Sequence, residues 1–398
     1  MLLEMKQSFI PILAILFFAS CAGDDAAPYG RDPWVSEIPV SMEPLSVGAV
    51  TRGEGDLPEI EDLTAGNGFE TDKSLLYISQ MGTNIDPDFQ EGSSNRYVYV
   101  YKENPDASWN ASGTYNFYSR TGDAPIAWGG IRDRGPVGNA FSLYALYFPC
   151  ANEVRFAVEK DQRELKKFRE SDIMGAYHAT SSLYTRLRFR LYHLMVYLQV
   201  TLYVPDYDTD KKTGFVADAL RNAAVENAYS DFEIEWRTNR SSDTDAPFVD
   251  IPQNAQKTEH IHMFRHEHDA EVQEIQVQDY YGEGSLITDR VRTYNFSVLI
   301  PPQIFGSENK DRFLRFQLTP VGTDPDNPNV STYKNYYFSA NQLMTGETLH
   351  LTQGTLQHLS LYVPRTGDDI ILVGADIIDW SDASSDMTVT EQPKTEQP

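Results

Sequence analysis

The 398-residue chain carries 33 basic against 58 acidic side chains, a formal charge of −25, with 41% hydrophobic and 12% aromatic residues. That apolar content is enough to bury real cores and excludes a disordered solvating segment, and at about 100 to 200 residues per domain the length points to two folded units plus tails. The acidic balance, with no Lys/Arg-rich run, repels phosphate backbones and argues against nucleic-acid partners.

The N-terminus reads as a targeting segment. Lys6 precedes the apolar stretch Ser8 to Phe18, which is broken only by Pro11, and Ala19-Ser20-Cys21 closes it with small residues. The stretch is too short to span a hydrocarbon core of ~30 Å, so residues 1–20 are expected to be a lipoprotein signal and Cys21 the lipidated terminus. With Cys21 acylated, Cys150 has no cysteine partner, and stability must come from core burial. Residues 21–52 string together Pro28, Pro33, Pro39 and Pro44 with Gly and Asp and read as a tether. Arg52-Gly53 lies beside Gly55 in a stretch open to a trypsin-like protease, and Leu45, Val47, Ala49 and Thr51 just upstream alternate as a short strand would.

From about Ser74 the chain reads as strands. Tyr97-Val98-Tyr99-Val100-Tyr101 alternates β-branched and aromatic residues, and Tyr115 to Tyr118, Phe141 to Phe148 and Val154 to Val158 are short apolar runs bounded by turn residues. Between Arg186 and Val204 the period-2 pattern slips at Tyr192-His193: Leu187, Phe189 and Leu191 keep one phase, and Leu194 through Val204 keep the other. Such a slip implies a bulge or a crossing between sheets, and places a domain boundary near residue 185. Strands resume at Tyr294 to Ile300, Leu314 to Leu318, Tyr333 to Phe338, Leu349 and Leu351, Leu359 to Val363 and Ile370 to Trp380. The alanine-rich segment Phe215 to Ala224 reads as a helix or as a loop with one short turn. The expected organisation is all-β: residues 53–185 and 186–385 as two β-sandwich domains, with 386–398 as a flexible tail.

Signatures of nucleophilic, nucleotide-dependent and zinc-protease chemistry are missing: the chain holds no GxSxG, GxxxxGK[ST], HExxH or CxxC. No cofactor is expected. His260, His262, His266 and His268 would share one face of an extended strand, as a metal site requires, but Glu259, Arg265, Glu267 and Asp269 among them favour a solvated loop. Asp206, Asp208 and Asp210 have calcium-loop spacing, yet Lys211 and Ala217 stand where the loop's Gly and Glu belong, which excludes an EF-hand.

Leu191-Tyr192-His193-Leu194-Met195, followed by a long strand ending in Leu202-Tyr203-Val204, resembles the stretch that opens the second domain of fimbrillins, the Bacteroidales pilins also called type V pilins. Phe141 to Tyr147, Val298-Leu299-Ile300-Pro301-Pro302-Gln303, Tyr336 to Gly346 with Thr348, and Ile370 to Trp380 resemble other strands of that family, in the same order over roughly residues 70 to 385. The resemblance implies two transthyretin-like β-sandwich domains, surface location through an outer-membrane lipid anchor, and cleavage by an arginine-specific protease, here at Arg52-Gly53. It further implies a stalk, tip or accessory subunit of a fimbrium that assembles with other pilin subunits by donor-strand exchange and supports adhesion to a host glycan or protein. The alternative is a surface-anchored glycan-binding lipoprotein, which shares signal, tether and sandwich architecture.

Overall fold

The computed structural model describes residues 40–44, 74–81, 88–91, 93, 96–101, 117–123, 126, 141–148, 154–180, 187–210, 212–235, 247–266, 272–278, 286–306, 312–322, 332–343, 348–366 and 369–379. Among the described residues the architecture is all-β: several sheets, one short α-helix and a 3-10 turn at Ala340–Gln342.

The first sheet contains β1 (Val40–Pro44), β2 (Leu75–Met81), β3 (Arg96–Tyr101), β4 (Phe117–Ser119), β5 (Phe141–Tyr147), β6 (Met174–Thr180) and β7 (Leu187–His193). Its order is β1-β4-β3-β2-β5-β6-β7, and the pairing of β7 with β1 closes it into a barrel. Closure explains the Tyr-Val-Tyr-Val-Tyr sequence of β3, since both of its faces are apolar. Tyr97 and Tyr99 join Leu76, Ile78, Phe117, Leu143, Ala145, Phe189 and Leu191 in one cluster, while Val98 and Val100 belong with Tyr77, Tyr144 and Leu146 to the molecule's large core. The buried Tyr99 hydroxyl accepts a hydrogen bond from the Ile126 N–H at 3.1 Å, so its polar atom is satisfied.

The second half pairs two sheets face to face. One carries β8 (Val196–Pro205), β13 (Phe264–Arg265), β14 (Val272–Gln278), β15 (Leu286–Ile300), β20 (Thr355–Tyr362) and β21 (Ile371–Asp379) in the order β13-β15-β8-β20-β21, with β14 paired to β15. The other runs β12-β9-β17-β18, from β9 (Phe215–Tyr229), β12 (Lys257–His262), β17 (Leu314–Pro320) and β18 (Lys334–Phe338). Small ribbons β10 (Glu233–Glu235) with β11 (Phe248–Asp250), and β16 (Gln303–Phe305) with β19 (Leu349–Leu351), complete the set. Leu198, Val200, Leu202, Phe296, Val298, Leu359 and Leu361 of the first sheet meet Val225, Leu314, Phe316, Leu318 and Phe338 of the second, with the Phe296 and Phe316 rings 5.8 Å apart.

Two local expectations are corrected. Phe215 to Ala224 is neither helix nor loop but the start of the 15-residue strand β9. Alanine's helix preference is overridden because β9 is hydrogen-bonded on both sides, to β12 and β17, and buries Ala219, Ala223, Val225 and Ala228. Val154 to Val158 forms no regular strand; Ala157 makes one bridge, to Asp231. The helix that does form, α1 (Leu165–Glu170), buries only Phe168, too little apolar periodicity to read from sequence.

The slip at Tyr192-His193 marks a real crossing. β7 lies in the barrel, β8 in the six-stranded sheet, and Leu194-Met195 joins them. Residues 154–173 tie the halves together: Val158 N–H donates to Ser230 O at 2.9 Å, His262 N–H to Lys160 O at 2.8 Å, and the Gln162 amide bonds both Leu299 O (2.7 Å) and Leu299 N–H (2.9 Å). Gly175 allows a close approach, because a Cβ there would stand 2.7 Å from Pro247 Cγ and 3.0 Å from Leu194 Cδ1.

Candidate functional site

The distinctive feature of the barrel is the strand that closes it. β1 runs parallel to β7 with five partners in register, Val40↔Leu187 through Pro44↔Leu191, and meets β4 antiparallel at Val40↔Phe117. A parallel neighbour this far away in sequence cannot be a hairpin partner; it is a separate insertion between β4 and β7. The alternating segment Leu45 to Thr51, expected as the short strand, lies outside the described residues, and the strand seen here comes just before it. Pro39 and Pro44 hid it in a segment read as tether. Pro44 ends β1 beyond the one pair with β4, Val40↔Phe117, so on that side the strand is an edge, where a sheet tolerates proline.

β7 depends on this neighbour. Among the described residues it pairs with β6 only at Met174↔His193 and Gly175↔Tyr192, at its C-terminal end. Along Leu187–Leu191 its described partner is β1, and beside that seam Phe117, Phe189 and Leu191 are each 1% exposed in the barrel interior. A strand leaving this position uncovers a hydrogen-bonding edge on β7 next to an apolar interior, the two features that strand addition uses.

The seam leads straight to a buried polar junction. His193 ends β7, and its Nδ1 lies 2.8 Å from Asp172 Oδ1, with side-chain exposures of 2% and 0%. Leu194 N–H donates to Ile173 O at 2.8 Å, which fixes the crossing to the segment that follows α1. Burial pushes the Tyr197 hydroxyl up to about 12; its hydrogen bond with Ser297 Oγ at 2.9 Å pulls the other way, and the nearby Asp172 adds to the rise. The two halves thus share a desolvated, hydrogen-bonded joint.

The sequence-derived site residues fall in different places. Cys21, Arg52 and Gly53 lie outside the described residues. The histidine run divides between sheets: His260 and His262 sit on β12 with rings 6.0 Å apart, whereas His266 bonds Ser297 Oγ at 2.8 Å beside β15, and His268 is outside the described residues. His260 faces Glu226 at 3.5 Å, and His262 Nδ1 lies 3.2 Å from Asn222 Oδ1. Desolvation lowers the His262 pKa, with Arg163 adding to the shift. Among the described residues no three His, Cys, Asp or Glu side chains gather as metal ligands. Asp206 is held by Arg292 at 3.2 Å and Arg290 at 3.5 Å, and Asp208 Oδ1 caps the Asp210 N–H at 2.9 Å. No described helix is long and apolar enough to cross a membrane.

No protein-family model and no curated protein matches the chain. Among solved structures it is similar to a candidate cell-adhesion protein from Bacteroides uniformis, at 11% identity over 79% of this chain and 93% of that one, with a TM-score of 0.43. A candidate cell-adhesion protein from Bacteroides ovatus aligns at 11% identity over 87% and 98% of the two chains, TM-score 0.41. A C-terminally truncated tip fimbrial protein from Porphyromonas gingivalis aligns at 8% identity over 77% and 94%, TM-score 0.36. Identities and scores this low assign no family.

Proposed function

We propose that the chain is a structural subunit of a surface fimbrium, a stalk, tip or accessory pilin, whose activity is assembly and adhesion and not catalysis. In this reading Cys21 carries lipid during export to the outer membrane, and the two halves, the barrel that ends with β7 and the paired sheets that begin with β8, serve as transthyretin-like units. A protease cuts at Arg52-Gly53, and a strand of another subunit then takes the place of β1. The observation that carries it is the position of β1: the strand that closes the barrel lies upstream of Arg52, so a cut there severs it from everything it holds closed.

The energetics favour exchange over vacancy. Loss of β1 strands backbone donors and acceptors on β7, each costing about 1–3 kcal/mol if left buried without a partner. An incoming strand restores them and refills the apolar floor. Because the donor and the acceptor groove are different surfaces, the contact is heterologous and propagates as an open filament.

The test is the intact mass of the protein from its native surface, beside an Arg52→Ala variant, with gels run without boiling. A chain that starts at Gly53 and forms SDS-resistant ladders, both lost in the variant, is the expected result. A lipidated Cys21 terminus with a single band in both samples overturns polymerisation and leaves an anchored lipoprotein.

A further inference from the structure

We propose that β7 selects the strand at the barrel seam by charge, favouring an acidic residue in register with Arg190 or Arg188 and turning away a basic one. This rests on the reading of β1 as the strand that another subunit's strand replaces. In sequence Arg186, Arg188 and Arg190 alternate with Leu187, Phe189 and Leu191. Phe189 and Leu191 belong to the barrel's interior cluster, so by strand alternation positions 188 and 190 fall on the other face of β7. β1 runs beside them in parallel register, with Met42↔Phe189 and Pro44↔Leu191 on the interior side and Ser41↔Arg188 and Glu43↔Arg190 on the outer side. The register thus sets an acidic position beside one arginine and a small polar position beside the next.

The charge of this stretch runs against that of the chain. The whole molecule is at −25, yet residues 186–193 hold three arginines and no acidic residue. Positions two apart on a strand stand about 6.6 Å from each other, so arginines at 188 and 190 repel unless a negative charge lies near. Adjacent strands are about 4.8 Å apart, inside the screening length of about 8 Å at physiological salt, so a charge on the neighbouring strand acts on them. Among the described residues β6 meets β7 only at Met174↔His193 and Gly175↔Tyr192, beyond both arginines. The strand that runs beside them is β1, and of its residues Val40–Pro44 only Glu43 is charged.

An incoming strand therefore meets two conditions. The barrel interior asks for apolar residues at the positions of Val40 and Met42, a condition that many segments meet. The outer positions discriminate: a carboxylate beside Arg190 or Arg188 is attracted, and a lysine or arginine there places like charges in register, which destabilises the pairing. The partner that fits is a strand of alternating apolar and acidic residues from another surface subunit. With 58 acidic against 33 basic residues, a subunit of this chain's composition meets the charge condition more readily than a basic polypeptide does.

The full chain is tested first, by hydrogen exchange at the amides of Leu187–Leu191 in Glu43→Lys, Arg190→Glu and the double variant. Each single reversal is expected to speed exchange about fivefold, and the double variant to return within about twofold of the parent. The differences shrink at about 1 M salt, where the screening length falls to about 3 Å. A double variant no closer to the parent than the singles overturns the proposal. Selection is then read on chain processed at Arg52 and offered labelled peptides of residues 36–46, parent and Glu43→Lys, a change that leaves the acceptor's fold untouched. Preferential uptake of the parent peptide, reversed on Arg190→Glu chain, is the expected result. Equal uptake of both peptides overturns selection by charge and leaves strand exchange standing; uptake of neither overturns strand exchange and the selection with it.

Discussion

β7 and β8 are consecutive in sequence, separated by two residues, yet they are held in opposite ways. β8 is paired over all ten of its residues to β15 and over seven to β20, and its inward side chains are buried. β7 has five register partners on β1 and two on β6, and β1 is joined to the rest of the chain through the segment containing Arg52. One strand is locked by neighbours that all lie downstream of Arg52, while the other is held by a strand that lies upstream of it. A chain built this way combines a unit that is complete by itself with a unit whose completeness is conditional.

The largest effect is expected where the comparison is broken on the β8 side. Val200 is fully buried between the sheets, and Val200→Asp places a carboxylate where nothing can solvate it. A loss above about 4 kcal/mol is expected, enough to remove the second half's cooperative unfolding transition in a calorimetric or denaturant scan. A transition that survives intact would mean the two-sheet core is not the molecule's stable unit.

Next comes the joint between the two strands. Asp172→Asn keeps the size of the buried group but removes the charge facing His193, and is expected to cost about 2 kcal/mol in a urea titration at neutral pH. If barrel and sandwich then unfold at separate midpoints, the junction is what couples them; a single shifted transition means residues 154–173 couple them without it.

The β7 side is probed more gently by hydrogen exchange. Successive N–H groups of a strand point to opposite edges, so the double variant Ser41→Pro, Met42→Pro removes one donor towards β7 whichever way β1 is phased. Amides of Leu187–Leu191 are expected to exchange at least about tenfold faster, equivalent to about 1.4 kcal/mol, while those of β8 keep their protection. Equal loss in both strands would show that β1 supports the whole molecule and not the barrel alone.

These regions differ in the same way in how far sequence reveals them. β8, β15 and β20 were legible because a half-buried or doubly covered strand leaves period-2 or continuous apolar runs, and the phase slip at Tyr192-His193 located the crossing between sheets. β1 was not legible at its true position: five residues flanked by Pro39 and ending in Pro44 carry no sustained pattern, and their partner lies about 150 positions away. β9 misled for the opposite reason, since alanines chosen to fit between packed neighbours mimic a helix. The adjacency of Thr201, Asn295 and Ser360 was invisible because it arises only through strand register.

The smallest expected effect concerns His358, on β20, and acid. Burial lowers the folded-state pKa of His358 below its ordinary 6.5, the nearby Asp376 only partly opposing the shift. The unfolded chain therefore binds the proton more readily, so this group's contribution to stability is fully present above about pH 6.5 and is lost as the pH falls through that value towards the folded pKa. Acidification from pH 7.5 to 5.5 should lower the unfolding midpoint, and His358→Gln, which retains a polar group towards Thr201, should flatten the dependence without abolishing it. The residual slope has a named source, because desolvation lowers His262 on β12 as well. A His358→Gln profile parallel to the parent's would mean that folding leaves the His358 pKa unshifted.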